Sequence, residues 1–522
     1  KGNRLIAEGA GKEGPDGKLP HSEDGVLVRA TLLEKLIIPA VVKLSNYVPG
    51  GGIWMNTQRP EWNDANNALA GYGLSMVTAC YLHRYLHFLE QLIAEEKGCF
   101  TVNNPLGQLL GSIKTILNTD PGATAADDNS RYETVKQLGL AGETYRKCTY
   151  NSTYGEPVQI SVADVRTLIS DAIKHLKHTI ALNRREDKLY HAYNILQLDP
   201  NAGSASVDYL DPMLEGQVAA LSSKGISQEE ALAILKALPQ SPLYCSKRES
   251  YILYPDKTLP EFLDFNRIPN DEAVAIPLLA EMAESGDQRI LVSSADGCMR
   301  FNAAIRNRFE LDQALDGLVD LKTGKEQIEA DRPSIHELYE KTFNHHAFTG
   351  RSGSMFSYEG LGCIYWHMVS KLMLAALEVT LESEEENAQQ LLTEHYYTVQ
   401  NGLGFRKTAA QYGAFPADAY SHTPSHAGAQ QPGLTGMVKE GVICRFLELG
   451  IRINQGTLSF QPKLLRKAEL TTEEKQVDLI ESTGEEATFR VPSEAILFTL
   501  AQTPVLYRLS QADTPKTEIE FY

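Results

Sequence analysis

The sequence has few of the residues that mark several common classes of protein. Its seven cysteines are odd in number, lie far apart and include no CxxC pair, which argues against a disulfide scaffold and a cysteine-ligated zinc site. No run of 18 apolar residues occurs, so no membrane-spanning helix is expected. Lys and Arg number 49 against 67 Asp and Glu, and the net charge of −18 argues against nucleic acid or a membrane as partner. Neutral, hydroxyl-rich ligands remain.

Apolar residues are plentiful, at 43% of 522 positions, which is enough to fill one large core or the cores of two or three ordinary domains. The first residues are polar and rich in glycine, without the apolar segment of a signal peptide. Together with scattered cysteines that we expect to be reduced, this composition predicts a globular, cytoplasmic protein.

Apolar residues at helical spacing dominate the first 450 residues. They predict helices over residues 27–47, 67–96, 104–118, 160–183, 187–197, 227–237, 270–284, 361–382, 386–399 and 433–449. After Gly450 the pattern changes to short β-prone runs, which are TLSFQP, QVDLIES, EATFRV, AILFTLA and PVLYRL. We therefore expect a mainly α protein with a helical catalytic domain over residues 1–450 and a small antiparallel β-region over residues 451–522.

The most informative segment is RPEWNDANNA, residues 59–68, between a proline-marked turn and an apolar run. A Trp62 face can stack on a pyranose, amides such as Asn63 can bind its hydroxyls, and the Asp64 carboxyl can protonate a glycosidic oxygen. Asp64 is therefore the candidate general acid. For the tripeptide alone, a turn or helix cap beside a core Trp is the simpler interpretation.

A second segment, LTGMVKEG followed by LGIRINQGTLSFQP, covers residues 434–462. An earlier segment runs from TLLEKLIIPAVVKLSNYVPGGGIW to RPEWNDANNALAGYG. In order and spacing, the two segments resemble landmarks of the inverting glycoside phosphorylases of the cellobiose and chitobiose phosphorylase type. Their corresponding motifs are HGLP with GDWNDGMN, and WLTGTAAWM with LGIRP. The resemblance implies an (α/α)6-toroid-like helical domain, which need not be complete, and phosphorolysis of a gluco-oligosaccharide, with inversion at a β-linked bond.

The resemblance also implies a phosphate site and no organic cofactor or metal, with inorganic phosphate as co-substrate. Thr435 and Gly436 can bind an anion at a helix N-terminus. A glycine-rich segment, residues 344–360, adds charged and polar side chains, and the phosphate-binding candidates are Thr435, Gly436, Arg351 and His346. Tyr358 stands where the family has a phosphate-binding His. His367 is a possible substitute, although a His beside Trp366 on an apolar helix is more often a core residue.

Two carboxylates, Glu440 and Glu359, are compatible with hydrolysis in place of phosphorolysis. Glu440 stands where the family pattern has a Trp, and a carboxylate there would repel phosphate, whereas it would suit the general base of an inverting hydrolase. Glu359 is the other candidate base. A noncatalytic carbohydrate-binding toroid is the third alternative. The substrate-binding candidates are Arg59, Trp62, Asn63, Asn66, Trp54, Tyr358, His422, His426 and Gln430, and we expect Trp54, Trp62 and Trp366 to report on ligand binding.

Two further expectations concern a metal and a partner. His83, His87 and Glu90 share a helix face at metal-ligand spacing, but a partly exposed helix face is the preferred interpretation. The family has a β-sandwich and half of the barrel before the WND loop, whereas only 61 residues precede Trp62. We therefore expect either the C-terminal part of a longer polypeptide or a barrel completed from elsewhere, and association with that portion or as a homodimer.

Overall fold

The computed structural model describes residues 8, 10, 11, 19–22, 24–56, 69, 71–256, 264–318, 324–343, 364–403, 420–423, 431–432 and 435–509. For residues 420–423, 431–432 and 435–437 it describes the backbone. Fifteen α-helices and several small antiparallel sheets lie within these residues, which is compatible with a mainly α-helical fold. No helix in the described part of the chain is long and apolar enough to cross a membrane.

The described residues between 24 and 256 form the first part of a helical body. Its helices are α1 (Leu32–Leu44), α2 (Met76–Leu92), α3 (Asn104–Leu117), α4 (Pro121–Thr124), α5 (Asp128–Tyr150), α6 (Val162–Leu182), α7 (Leu214–Ser222) and α8 (Gln228–Ala237). Most of them begin at a side chain that accepts a hydrogen bond from a first-turn N–H, which fixes the start of the helix. These caps are Thr31, Ser75, Asp120, Asp127, Ser161 and Ser227.

An antiparallel five-stranded sheet accompanies these helices, in the order β1-β2-β3-β6-β7. Its strands are β1 (Tyr47–Val48), β2 (Gly52–Trp54), β3 (Gly73–Ser75), β6 (Tyr193–Asp199) and β7 (Ser204–Tyr209). Two hairpins complete this half, formed by β4 (Cys99–Val102) with β5 (Val158–Ser161) and by β8 (Tyr244–Cys245) with β9 (Ser250–Tyr251). One face of the sheet packs on α5 through a small separate core of Val48, Leu74, Val135, Leu196 and Ala205.

Residues 264–343 form a second unit with its own hydrophobic core. It contains α9 (Asn270–Val274), α10 (Pro277–Ser285), α11 (Arg308–Asp316), α12 (Gly324–Phe343) and a hairpin of β10 (Leu291–Ser293) with β11 (Met299–Phe301). The buried carboxylate of Asp331 in α12 accepts a hydrogen bond from Leu278 N at 2.8 Å, so α12 caps the start of α10. Arg332 ties α12 to α11 through Asp312 at 2.8 Å. The sequence patterns do not separate this unit from the helical domain.

The chain then completes the helical body. A three-stranded antiparallel sheet of β12 (Ile364–Tyr365), β13 (Tyr420–Thr423) and β14 (Gln431–Pro432) accompanies α13 (Trp366–Glu382), α14 (Glu386–Asn401) and α15 (Thr435–Glu448). Three hairpins follow, formed by β15 (Ile451–Asn454) with β16 (Thr457–Phe460), β17 (Lys475–Ile480) with β18 (Glu486–Val491), and β19 (Ala495–Leu500) with β20 (Thr503–Arg508).

Helix α13 lies at the centre of the helical body, because it packs against α7, α14 and α15. Trp366 begins this helix and is the largest fully buried side chain among the described residues. Arg84 of α2 donates to both carboxylate oxygens of Glu378 in α13, at 2.7 and 2.8 Å, which adds a polar tie between the two helices. The main core therefore joins residues on both sides of the second unit in sequence.

The turn after α15 requires glycine. Gly450 has a φ of 69°, which L side chains rarely adopt, and ends the helix as a left-handed residue. A Cβ at this position would lie 2.0 Å from the carbonyl carbon of Gln461. Glycine thus allows β15 to begin directly beside the helix that precedes it.

One predicted helix is wrong and others start later than expected. The second half of the predicted helix 187–197 belongs to the strand β6 (Tyr193–Asp199), which pairs with both β3 and β7. Residues 73–75, at the start of the predicted helix 67–96, form β3, and α2 begins at Met76. The five β-prone runs after Gly450 all contain strands, as predicted.

Candidate functional site

Four helices have their N-termini on one side of the molecule. Met76 N, at the start of α2, donates to Ala192 O beside β6, and Leu214 N, at the start of α7, donates to Leu253 O. β9 packs on β12, which runs directly into α13, and β14 of the same sheet lies two residues before α15. The helices on this side pack side by side in the order α2, α7, α13 and α15. The positive ends of four helix dipoles therefore lie on a common side.

The base of the WND loop is on this side. Ile53 pairs with Ser75 and Trp54 with Leu74, so β2 and β3 hold the two ends of residues 57–68 together. The indole N–H of the half-buried Trp54 donates to Gly71 O at 3.1 Å, and Met55 N donates to Gly73 O at 2.8 Å. The predicted site residues Arg59, Trp62, Asn63, Asp64 and Asn66 lie outside the described residues. The hydrogen bond from Trp54 to Gly71 anchors the base of the loop and says nothing about a sugar. Sugar binding by Trp54 therefore stays a prediction.

A buried polar network supports the turn before β2. Asn183 Nδ2 donates to Gly50 O at 2.9 Å, and Asn194 Nδ2 donates to Gly51 O at 2.9 Å and to Asn183 Oδ1 at 2.7 Å. Gly50 N donates to Thr179 Oγ1 at 3.0 Å. Buried hydrogen bonds of this kind are costly to leave unmade, so they fix the backbone that leads to the WND loop.

The three-stranded sheet brings the later landmarks together. His422 of β13 pairs in register with Tyr365 of β12 on one side and with Gln431 of β14 on the other. Helix α15 begins at Thr435, as the anion-binding hypothesis requires, and Gly436 lies in its first turn. The candidates that lie outside the described residues are His346, Arg351, Tyr358, Glu359, His426 and Gln430.

Glu440 and His367 are the two candidates whose side chains the structure describes near this sheet. Glu440 is 4% exposed on α15, and its Oε2 atom is buried with no hydrogen-bond partner among the described residues. His367, in the first turn of α13, has Nδ1 3.2 Å from the Tyr365 hydroxyl, and its buried Nε2 likewise has no described partner. Burial and the nearby Lys371 lower the pKa of His367, whereas the charge of Glu440 acts to raise it.

Glu215 is a carboxylate on the same side that the sequence patterns do not indicate. It lies in the first turn of α7, and its Oε2 accepts a hydrogen bond from the buried Tyr193 hydroxyl at 2.9 Å. The sequence of the helix, LEGQVAALS, contains no motif that would distinguish Glu215 from an ordinary acidic residue in a first helical turn. Only the packing of α7 between α2 and α13 places it near the WND loop base.

Trp366 does not fulfil the role expected for it. Its side chain is 0% exposed, so it belongs to the core and cannot stack on a sugar. A fluorescence change at this residue would report on helix packing.

His83, His87 and Glu90 do not form a metal site among the described residues. His83 is fully buried and its Nδ1 lies 2.8 Å from Ser223 O, whereas His87 Nδ1 lies 3.4 Å from Glu90 Oε2. The rings of His83 and His87 are in edge contact, with centroids 4.7 Å apart. His83 thus joins α2 to the end of α7.

His83 makes stability depend on pH. Burial lowers the pKa of His83 to about 4, against an ordinary pKa of 6.5 for histidine, so the unfolded chain binds this proton more readily. The stabilisation is full above pH 6.5 and is lost as the pH falls towards 4, to a total of about 3 kcal/mol. Urea unfolding of wild type and His83→Gln at pH 7.5 and 4.5 measures this difference. An equal fall in the free energy of unfolding in both proteins would contradict it.

A groove in the described structure lies elsewhere. It has a volume of about 740 Å³ between α3 and α5, and its lining is mostly apolar, with Leu109, Ile116 and Leu140 among the lining residues. None of the candidate site residues lines it. The groove therefore provides no support for the predicted chemistry.

Comparison with known proteins bears on the second unit. A search of curated proteins found no match to the chain. Residues 259–346 match the family model of GH149 phosphorylase insertion domain 2, and these bounds enclose the unit that has its own core. The match supports a glycoside phosphorylase family for this chain, without indicating the cellobiose and chitobiose phosphorylase type.

Proposed function

We propose that the protein is a glycoside phosphorylase that cleaves a β-linked bond of a gluco-oligosaccharide with inversion. The observation that carries this proposal is the match of residues 259–346 to an insertion domain of glycoside phosphorylases. The two landmark segments lead into α2 and α15, whose N-termini lie on the same side of the helical body. We extend the proposal to an (α/α)6-toroid arrangement, in which α2, α7 and α13 are inner helices. A cytoplasmic location and the proposed partners stay predictions.

In the proposed reaction, an oxygen of inorganic phosphate attacks the anomeric carbon as the glycosidic C–O bond breaks. Asp64 donates its proton to the leaving oxygen, which gives a sugar 1-phosphate and a shortened glycan. Thr435 and Gly436, at the start of α15, bind the phosphate together with Arg351 and His346. The dipole of α15 stabilises the negative charge that the site must hold.

An inverting hydrolase is the second candidate, and the buried carboxylate of Glu440 is the observation that favours it. Its Oε2 atom has no described partner and is free to accept a proton from water. In this alternative Asp64 keeps the role of general acid, and Glu359 is the other candidate base. The two reactions differ in whether phosphate is consumed.

Incubation with a panel of β-linked glucans, with and without phosphate, tests the proposal. We expect cleavage to require phosphate and to release one α-configured sugar 1-phosphate for each bond broken, which nuclear magnetic resonance detects. The number of reducing ends should stay constant, because phosphorolysis creates no new one. Phosphate-independent release of reducing sugar would instead establish the hydrolase.

A further inference from the structure

Glu440 is a buried carboxylate at an anion-binding helix end. It is the sixth residue of α15, and Oε1 lies 3.4 Å from Nζ of the exposed Lys439, while Oε2 has no partner in the described residues. Helical side chains tilt towards the N-terminus, and residues four apart share a face, so the carboxylate lies over the turn that contains Gly436.

His367 supplies a complementary atom from the neighbouring helix. α13 packs on α15, and the charge of Glu440 is close enough to oppose the lowering of the His367 pKa. When the Tyr365 hydroxyl donates to Nδ1, at 3.2 Å, the ring proton lies on Nε2, which is then a buried donor without a described partner. Lys439 beside Glu440 and Lys371 beside His367 are further charged groups in the described part of this region.

Two buried polar atoms without partners in one region indicate a ligand, because leaving each unsatisfied is costly. With the ring proton of His367 on Nε2, the donors are that atom and the N–H groups at the start of α15, and the acceptor is Glu440 Oε2. A fully ionised oxyanion such as sulfate offers only acceptors and is repelled by the carboxylate. An oxyanion that retains a proton satisfies both kinds of group, since its hydroxyl donates to Glu440 and its other oxygens accept.

We propose that Glu440 and His367 bind the protonated form of inorganic phosphate and select it over sulfate. This inference rests on the proposed function for the role of phosphate as the attacking group. It also removes the conflict between a carboxylate at position 440 and an anionic substrate, because the phosphate hydroxyl acts as donor to that carboxylate.

Isothermal titration calorimetry with phosphate, arsenate and sulfate at neutral pH and constant ionic strength tests this selectivity. Arsenate retains a proton as phosphate does, so the wild type should bind both, and sulfate at least tenfold more weakly. Glu440→Gln removes the acceptor-only group and offers an amide donor. We expect it to weaken phosphate binding by roughly ten- to a hundredfold and to leave sulfate binding unchanged or stronger. The ratio of the two dissociation constants is the readout.

Two variants serve as controls. Glu394→Gln makes the same substitution at an exposed position of α14 and should leave both constants unchanged. Lys439→Gln removes a positive charge and should weaken both anions equally, which keeps the ratio constant. Equal binding of sulfate and phosphate by the wild type would overturn the inference, even if Glu440→Gln does not fold. Selectivity without phosphorolysis would support the inference and refute the proposed function, whereas phosphorolysis without selectivity would do the reverse.

Discussion

Asp64→Asn is expected to reduce turnover by roughly 10²- to 10⁴-fold, the range that acid–base assistance contributes. The amide keeps the size of the carboxyl group but cannot donate a proton to the leaving oxygen. The loop that carries Asp64 is held at its base by β2, β3 and the Trp54 hydrogen bond, none of which involves residue 64. Folding should therefore be unaffected.

The measurement is kcat/KM on an oligosaccharide and on a sugar with an activated leaving group. A leaving group that departs without a proton should restore much of the rate of the variant, because the acid is then not needed. Asp271→Asn, at an exposed position of α9, is the matched control and should match the wild type on both substrates. Near-normal turnover of Asp64→Asn on the oligosaccharide would show that another group is the acid.

Trp366→Ala is expected to lower the free energy of unfolding by about 3–5 kcal/mol, the usual cost of removing a large buried side chain. The indole is 0% exposed at the start of α13, so its loss leaves a cavity among helices that pack on this one. Urea denaturation followed by circular dichroism measures the change.

Trp366→Phe is the matched variant, because it keeps an aromatic ring in the same place. It should cost clearly less than the alanine variant, since less volume is lost. A loss below about 1 kcal/mol for Trp366→Ala would place the ring at the surface, and would restore the expectation that it contacts a ligand.

The strongest sequence signals gave the right elements. Alternating β-prone residues after Gly450 predicted five of the six strands there, all but β15, because each strand pairs with its neighbour in sequence and needs no distant partner. Residues 270–284 read as one helix and are two, α9 and α10. The break follows from Pro277, which cannot continue a helix and is well suited to begin one.

Other elements depend on contacts that local patterns do not contain. Residues 193–199 have apolar spacing that fits a helix, but pairing with two distant strands makes them β6. Helix α5 was not predicted, since it is largely polar and buries only Thr134, Val135, Leu138 and Gly142.

Sequence patterns drew attention to individual candidate residues but could not predict which of them lie close together. Glu440 and His367 were each considered from sequence, one as a base and the other as a possible phosphate ligand. Their common feature, a buried atom without a described partner, depends on the packing of α13 on α15, about 70 residues apart in sequence. Glu215 carries no sequence signal, because its position matters only through the neighbours of α7.

The adjacency of β9 and β12 has an evolutionary consequence. In sequence, the second unit lies between β9 and β12, and these two strands of the helical body are in contact. No described residue from 264–343 belongs to the main core. A lineage could therefore gain, lose or exchange this unit as a single piece, because the helices of the main core would not have to repack.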